Sequence, residues 1–166
     1  MNDQAKKTAL RMIPYGLYVL MAESGERVAA STINWAMQAS FSPPLVALGV
    51  KTDSGIHAII QESGKFSLNV LGKDQGELAF TYFKPQERDG ETIGGQAFNR
   101  SPAGVPVLAN APAWIEGKLR ETVELGDHSV FVCEVTEAHV AKQPEGRPDE
   151  ATLWLKDLGD RLFYGG

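Results

Sequence analysis

The chain has 166 residues, with 16 Lys and Arg against 21 Asp and Glu, a formal charge of -5. That length supports one domain, residues 1–166, with a core that needs no disulfide staples, and the acidic balance leaves no broad cationic surface, so nucleic acid is not an expected partner. The single cysteine, Cys133, excludes an internal disulfide and a CxxC redox pair and fits a cytoplasmic setting; no signal peptide and no membrane-length apolar run is found.

Taken in chain order, Gly16–Ala22 and Arg27–Trp35 are β-rich runs around the turn-forming Glu23–Glu26, which reads as a hairpin. Phe41-Ser42-Pro43-Pro44 is a break, because its prolines lack amide donors, and Leu45–Val50 resumes as a buried strand. Ile56, Ile59 and Ile60 at helical spacing predict a short helix over 53–62, with Thr52 or Asp53 as N-cap and Gly64 as the stop. Lys65–Leu71 alternates as a strand, and Gln75–Phe83 predicts a second short helix. Lys84–Asn99, broken by Pro85, Gly90, Gly94 and Gly95, reads as a surface excursion, in form a lid. Ala113–Leu125 and Ser129–Val140 predict a long antiparallel pair turned at Gly126-Asp127-His128, and Thr152–Leu155 and Arg161–Tyr164 are short apolar strand candidates. About seven strands and two short helices point to an antiparallel barrel or sandwich.

The usual dinucleotide, P-loop, zincin and hydrolase motifs are missing, and His57, His128 and His139 lack paired metal-ligand spacing, so no metal site is expected. Ser31-Thr32-Ile33-Asn34 offers hydroxyl, amide and backbone groups that suit the polar edge of a flat heteroaromatic ring; the same pattern fits solvent-facing positions of an exposed strand. Lys51-Thr52-Asp53-Ser54 stands where a strand passes into a helix, where free amides, the helix dipole, a lysine and hydroxyls favour an anion. Helix capping alone also explains Thr52-Asp53-Ser54, and Asp53 opposes an anion unless it turns away. His57, one turn on, and His128, at a turn, each read as surface residues or as ligand contacts.

Ile13-Pro14-Tyr15-Gly16, Ser31–Trp35, Gln38–Pro44, Ser63–Leu71 and Gly126-Asp127-His128, taken in order, resemble the flavin reductase-like, FMN-binding split-barrel family. The likeness runs from about Leu10 to Tyr164, and the opening half is similar to the flavin reductase domain at the C-terminus of some flavodiiron proteins, here expected in a free-standing version. The resemblance implies a mainly β fold, an antiparallel Greek-key split barrel of six strands with a few short flanking helices. It implies a homodimer with one FMN per subunit near the interface, FAD being the alternative flavin, and NAD(P)H as hydride donor. Ser31, Thr32, Ile33 and Asn34 then line the ring and ribityl chain, with Gln38, Ala39 and Ser40 on the same side; Lys51, Ser54 and His57, joined by Thr52 of the anion-favouring turn, hold the phosphate. His128 lies close to the flavin and the nicotinamide in a supporting catalytic role, and Tyr164 is an aromatic near the flavin. Gly117 departs from the pattern, since many members carry cysteine there. The implied function is hydride transfer from NAD(P)H to bound FMN and onward to a free flavin or another acceptor, which includes a redox partner protein. The alternatives are a ferric reductase and a flavin- or haem-binding carrier without turnover.

Overall fold

The computed structural model describes residues 1–165; Gly166, the last residue of the expected domain, lies outside the described residues. The chain opens with a helix that its apolar pattern does not signal, α1 (Asp3–Arg11). None of its residues is buried, and Asn2 caps it by accepting from the Ala5 amide at 2.9 Å, so local capping rather than packing supports it. The expected hairpin follows as β1 (Tyr18–Ser24) and β2 (Arg27–Ile33), with Gly25 at φ +60° in the turn, a conformation that side chains with a Cβ disfavour. β1 is buried on both faces: Val19 and Met21 enter one core cluster, Leu20 and Ala22 the other.

The proline segment corrects one expectation. Ala36–Phe41 is itself a strand, β3, and Pro44–Lys51 is β4, so Ser42 and Pro43 make a hairpin turn rather than a break. Pro44 is the first residue of its strand, where the missing donor costs the ladder nothing, and β3 hides from pattern reading because Met37, Gln38 and Ala39 are all exposed.

The helix α2 (Gly55–Ser63) packs Ile56, Ile59 and Ile60 against the sheet, each burial contributing about 1.5–3 kcal/mol. Its N-cap is Ser54 rather than Thr52 or Asp53, and it stops at Gly64, φ +67°, as expected. β5 (Lys65–Val70) and α3 (Gly76–Thr81) also form where the pattern places them.

Residues 84–99 are not a surface excursion. They supply β6 (Arg88–Asp89), β7 (Thr92–Ile93) and β8 (Gln96–Arg100), which join β9 (Pro106–Leu108) in a second antiparallel sheet and bury Ile93 and Phe98 in the core. Strands of two residues between glycine turns are too short to show alternation, so the sequence conceals them. β10 (Ala113–Val123) and β11 (His128–Val140) form the long pair. Beyond α4 (Pro148–Ala151), the expected terminal strands reduce to isolated bridges, Thr152 to Gly72 and Trp154 to Gly16, then a 3-10 turn at Leu155–Leu158; residues 161–164 form no strand.

The main sheet runs β2-β1-β5-β10-β11-β4-β3, antiparallel throughout. This is the antiparallel split barrel expected, with seven strands where the resemblance implied six. Its two edges, β2 and β3, are consecutive in sequence, so the seam opens where Asn34 and Trp35 join them. At Gly117, beside a register shift in β10, an added Cβ would stand 2.4 Å from Phe66 Cζ, so the phenyl ring takes the space that a cysteine side chain would need.

Candidate functional site

At this seam lies a cleft of about 680 Å³, within the range of small-molecule sites. Its floor is apolar, from Leu17, Ala29, Ala30 and Ile56, and its sides carry polar groups from β2, from the β4–α2 turn, from the chain after α3 and from the C-terminal segment. Ser31, Thr32, Ile33, Asn34, Lys51, Ser54, His128 and Tyr164, all expected at a site, line it together.

The β4–α2 turn forms one end. Ser54 Oγ accepts from His57 N at 3.3 Å and donates to the Lys51 carbonyl at 2.7 Å, so this hydroxyl already serves the helix start. The amides of Gly55 and Ile56, the first two of a nine-residue helix, have no acceptor within the helix, and both residues line the cleft. An added Cβ at Gly55 would meet nothing within 4 Å, so this end is open. Lys51 Nζ lies 3.0 Å from Asp53 Oδ2, and that hydrogen bond and charge raise the lysine pKa, which keeps it cationic. Asp53 also lines the cleft rather than turning away to cap the helix.

His128 opens β11 directly across from Lys51 in the ladder. Its Nδ1 is 2.9 Å from Asp127 Oδ1 and its Nε2 is 2.7 Å from the Tyr164 hydroxyl. The hydrogen bond from His128 holds the Asp127 carboxyl below the usual range, while desolvation raises the Tyr164 phenol. With the proton on Nδ1 toward the carboxylate, Nε2 accepts from a phenol that stays protonated at neutral pH. Behind them, Trp35 lies 4.6 Å from the His128 ring and 5.4 Å from that of Tyr164, centroid to centroid. Gly49 permits this, because a Cβ there would reach within 2.9 Å of the indole. Asn34 Nδ2 donates to the Tyr164 carbonyl at 3.3 Å, and Arg11 Nε donates to the Gly165 carbonyl at 3.3 Å while its guanidinium sits 4.3 Å over Phe163. The tail is therefore tied to the seam through Asn34 and to α1 through Arg11.

Other expected residues are placed elsewhere. His57 is buried, bonded through Nε2 to Ser129 Oγ at 2.8 Å with its ring tilted against that of Phe131, centroids 4.9 Å apart, so it faces the core and not the cleft. Thr52 lies outside the lining and ties the turn to Asp127, whose carbonyl accepts from its amide at 3.0 Å and its hydroxyl at 3.1 Å. Gln38, Ala39 and Ser40 stand on β3, also outside the lining. Thr32 lines the cleft, yet its amide and hydroxyl are directed to the carbonyls of Tyr82, 3.0 Å, and Ala79, 2.8 Å. Sequence reasoning missed Phe83, Lys84 and Gln86 in the cleft wall and Arg11 against the tail; no local motif marks them. Among the described residues, no group of His, Cys, Asp and Glu is placed to hold a metal ion, and no helix is long and apolar enough to cross a membrane.

Residues 10–158 match the family described as flavin reductase like domain. The chain is 30% identical over 141 residues to diflavin flavoprotein A 1 of Synechocystis sp., covering 84% of this chain but 25% of that protein, so it spans about a quarter of this relative. It is 29% identical over 139 residues to ferric-chelate reductase (NAD(P)H) of Archaeoglobus fulgidus, covering 82% of each. Among solved structures, the styrene monooxygenase flavin reductase of Pseudomonas putida S12 superposes with a TM-score of 0.71 at 29% identity, covering 83% of this chain and 88% of that one.

Proposed function

The chain belongs to the flavin reductase-like family, and from that premise we propose that residues 1–166 form one domain and act as a cytoplasmic oxidoreductase that takes hydride from NAD(P)H onto bound FMN and passes electrons to a free flavin or another acceptor. The observation that supports this most is the joining, in one cleft, of an apolar floor with an open, amide-lined and cationic end. Those residues fit a planar ring with a phosphate tail. Leu17, Ala29, Ala30 and Ile56 exclude water from a ring face, and Ser31 and Asn34 offer polar groups to its edge. Lys51, with the Gly55 and Ile56 amides, binds the phosphate, and Ser54 holds the turn in shape.

When bound, the flavin supplies the redox chemistry. The chain's own groups orient and hold charge. Asp127 keeps a proton on His128 Nδ1, which fixes the imidazole for contact with the donor, and Tyr164 donates to Nε2. His57 and Thr52 act behind the phosphate end, one through Ser129 and the other through Asp127. A homodimer brings Gln38, Ala39 and Ser40 toward a partner's cleft: the edge strand β3 leaves Met37, 64% exposed, and Phe41, 90% exposed, as apolar side chains for a second copy to cover.

Lys51→Ala and Ser54→Ala are expected to weaken FMN by about tenfold while riboflavin, which has no phosphate, changes little. Fluorescence titration reads this, and equal loss of both ligands contradicts the phosphate assignment. Anaerobic mixing with NADH and NADPH should bleach the yellow absorbance of the loaded protein; colour that persists with both donors marks a carrier without turnover instead. Assays with free FMN, free FAD and ferric chelates then rank the acceptors.

A further inference from the structure

Packing does not explain α1. None of its residues is buried, yet Arg11, in its last turn, meets the C-terminal segment 154 residues further along the chain. Arg11 Nε donates to the Gly165 carbonyl at 3.3 Å, and the guanidinium lies 4.3 Å over the Phe163 ring. The segment it meets is rooted at one end. Leu158 and Leu162 pack against the buried cluster that holds Leu17 and Leu153, and the Leu162 amide donates to the Gly159 carbonyl at 3.2 Å. Beyond that root, Phe163, Tyr164 and Gly165 make no backbone–backbone hydrogen bond among the described residues. Phe163 is 49% and Tyr164 47% exposed, so lifting them forfeits little apolar burial.

A polar group beneath the segment is left unsatisfied. Gly165 rests on the Trp35 indole, where an added Cβ would stand 3.4 Å from Cζ2 and 3.6 Å from Nε1. The indole N–H is buried there and has no acceptor among the described residues. A buried donor without a partner destabilises the arrangement that buries it, and water entering on opening would supply the missing bond. The same segment also occupies the cleft: Leu162, Phe163 and Tyr164 line it, and the Tyr164 hydroxyl takes up Nε2 of His128. What holds the segment down is therefore a few single contacts, from Arg11, Asn34 and His128, set against an orphaned donor.

From this geometry we infer that residues 163–165 are an autoinhibitory strap, with Arg11 of α1 as its latch. In the closed position seen here the strap roofs Trp35 and engages Nε2 of His128; it lifts about Leu162 to admit a ligand at the seam. α1 thus acts on the cleft without packing on the fold, by setting how often the strap is up. That the admitted ligand is a flavin rests on the reading proposed above; the latch itself does not.

Nitrogen-15 NMR of the full chain reads the strap without ligand or turnover. The Trp35 indole resonance is assigned by its loss in Trp35→Phe, and its proton exchanges with water only when the strap is up. Arg11→Gln removes both the cation over Phe163 and the bond to Gly165 and is expected to speed that exchange about fivefold. Phe163→Leu leaves α1 untouched and is expected to speed it about twofold, and the double variant to match Arg11→Gln alone, because the ring contact is already lost. In stopped flow, Arg11→Gln is expected to take up riboflavin about fivefold faster than the native chain, the same factor as the indole exchange. Exchange that Arg11→Gln leaves unchanged, additive effects in the double variant, or riboflavin uptake at the native rate where exchange has risen each overturn the latched strap. Faster exchange in a chain that takes up no flavin leaves the latch standing and refutes the flavin reading.

Discussion

The cleft has two kinds of wall, and they are held by different forces. The sheet-borne wall rests on the β4–β11 ladder, in register from His128–Lys51 to Glu134–Leu45, with Leu48, Val50 and Phe131 buried beneath it. The other wall is irregular chain, Phe83–Gln86 and Leu162–Tyr164, held by single hydrogen bonds from Thr32, Gln86, Asn34 and Arg11. A ladder backed by a core moves only as a cooperative unit, whereas a segment on single bonds opens locally at small cost. The first wall is therefore the more constant in geometry, and the second is the readier to move.

The largest test strikes the sheet-borne wall. Phe131→Ala is expected to remove about 3–5 kcal/mol of stability in urea unfolding, since the ring is fully buried and backs His57. A loss near zero would mean that packing is not what holds this wall. The joint between the walls comes next. Thr32→Val keeps the shape and removes the hydroxyl bond to Ala79, with an expected cost of about 1 kcal/mol in urea unfolding. An unchanged unfolding midpoint would show that the chain after α3 is placed without this hydroxyl.

Glu116 tests how the sheet grips another irregular segment. This buried carboxylate accepts from Ser101 Oγ, from Ala103 N at 3.1 Å and from Thr136 Oγ1 at 2.9 Å. Burial pushes its pKa up, but the hydrogen bonds outweigh burial and leave it below the ordinary glutamate value. A carboxyl with a lowered folded-state pKa stabilises the fold above the ordinary value and loses that contribution as pH falls through the folded one. The melting temperature of the native chain is expected to fall more steeply than that of Glu116→Gln between about pH 5 and pH 3. Parallel curves would remove the carboxylate from the account.

Smaller effects belong to the exposed groups. Asp53→Asn frees Lys51 from its exposed ion pair and removes a negative charge from the anion end, so FMN is expected to bind about twofold to fivefold tighter, most clearly at low salt. Weaker binding would show that Asp53 positions Lys51 instead of competing for it. Tyr164→Phe removes the bond to His128 Nε2 and should change stability by less than about 0.5 kcal/mol, while shifting the pH dependence of NAD(P)H oxidation. A profile that superposes on that of the native chain would leave the phenol without a part in turnover.

Much of the sheet is legible in the residues. Val19–Ala22, Leu45–Val50 and the long pair around Gly126 carry their strand signals in apolar runs and turn chemistry, and Ile56, Ile59 and Ile60 carry that of α2. The passage of β4 into α2 at Lys51–Ser54 is legible because the strand-to-helix step is local. Cys133 shows the opposite: the sequence marks a lone thiol, and only burial, which pushes its pKa up to about 12, decides that it is unreactive in the folded chain.

By itself, then, the sequence determined what depends on neighbours a few residues apart: the β-rich pattern, the helix under the sheet, the glycine stop and the ordered segments that mark the family. Tertiary structure alone decided that β3 forms one edge of the seam, that residues 84–99 enter the core, that His57 turns inward to Ser129, and that Phe83, Lys84 and the tail reach the same cleft as Ser31. Those outcomes depend on which faces meet across the fold, and residues far apart in the chain carry no local periodicity that records such a meeting.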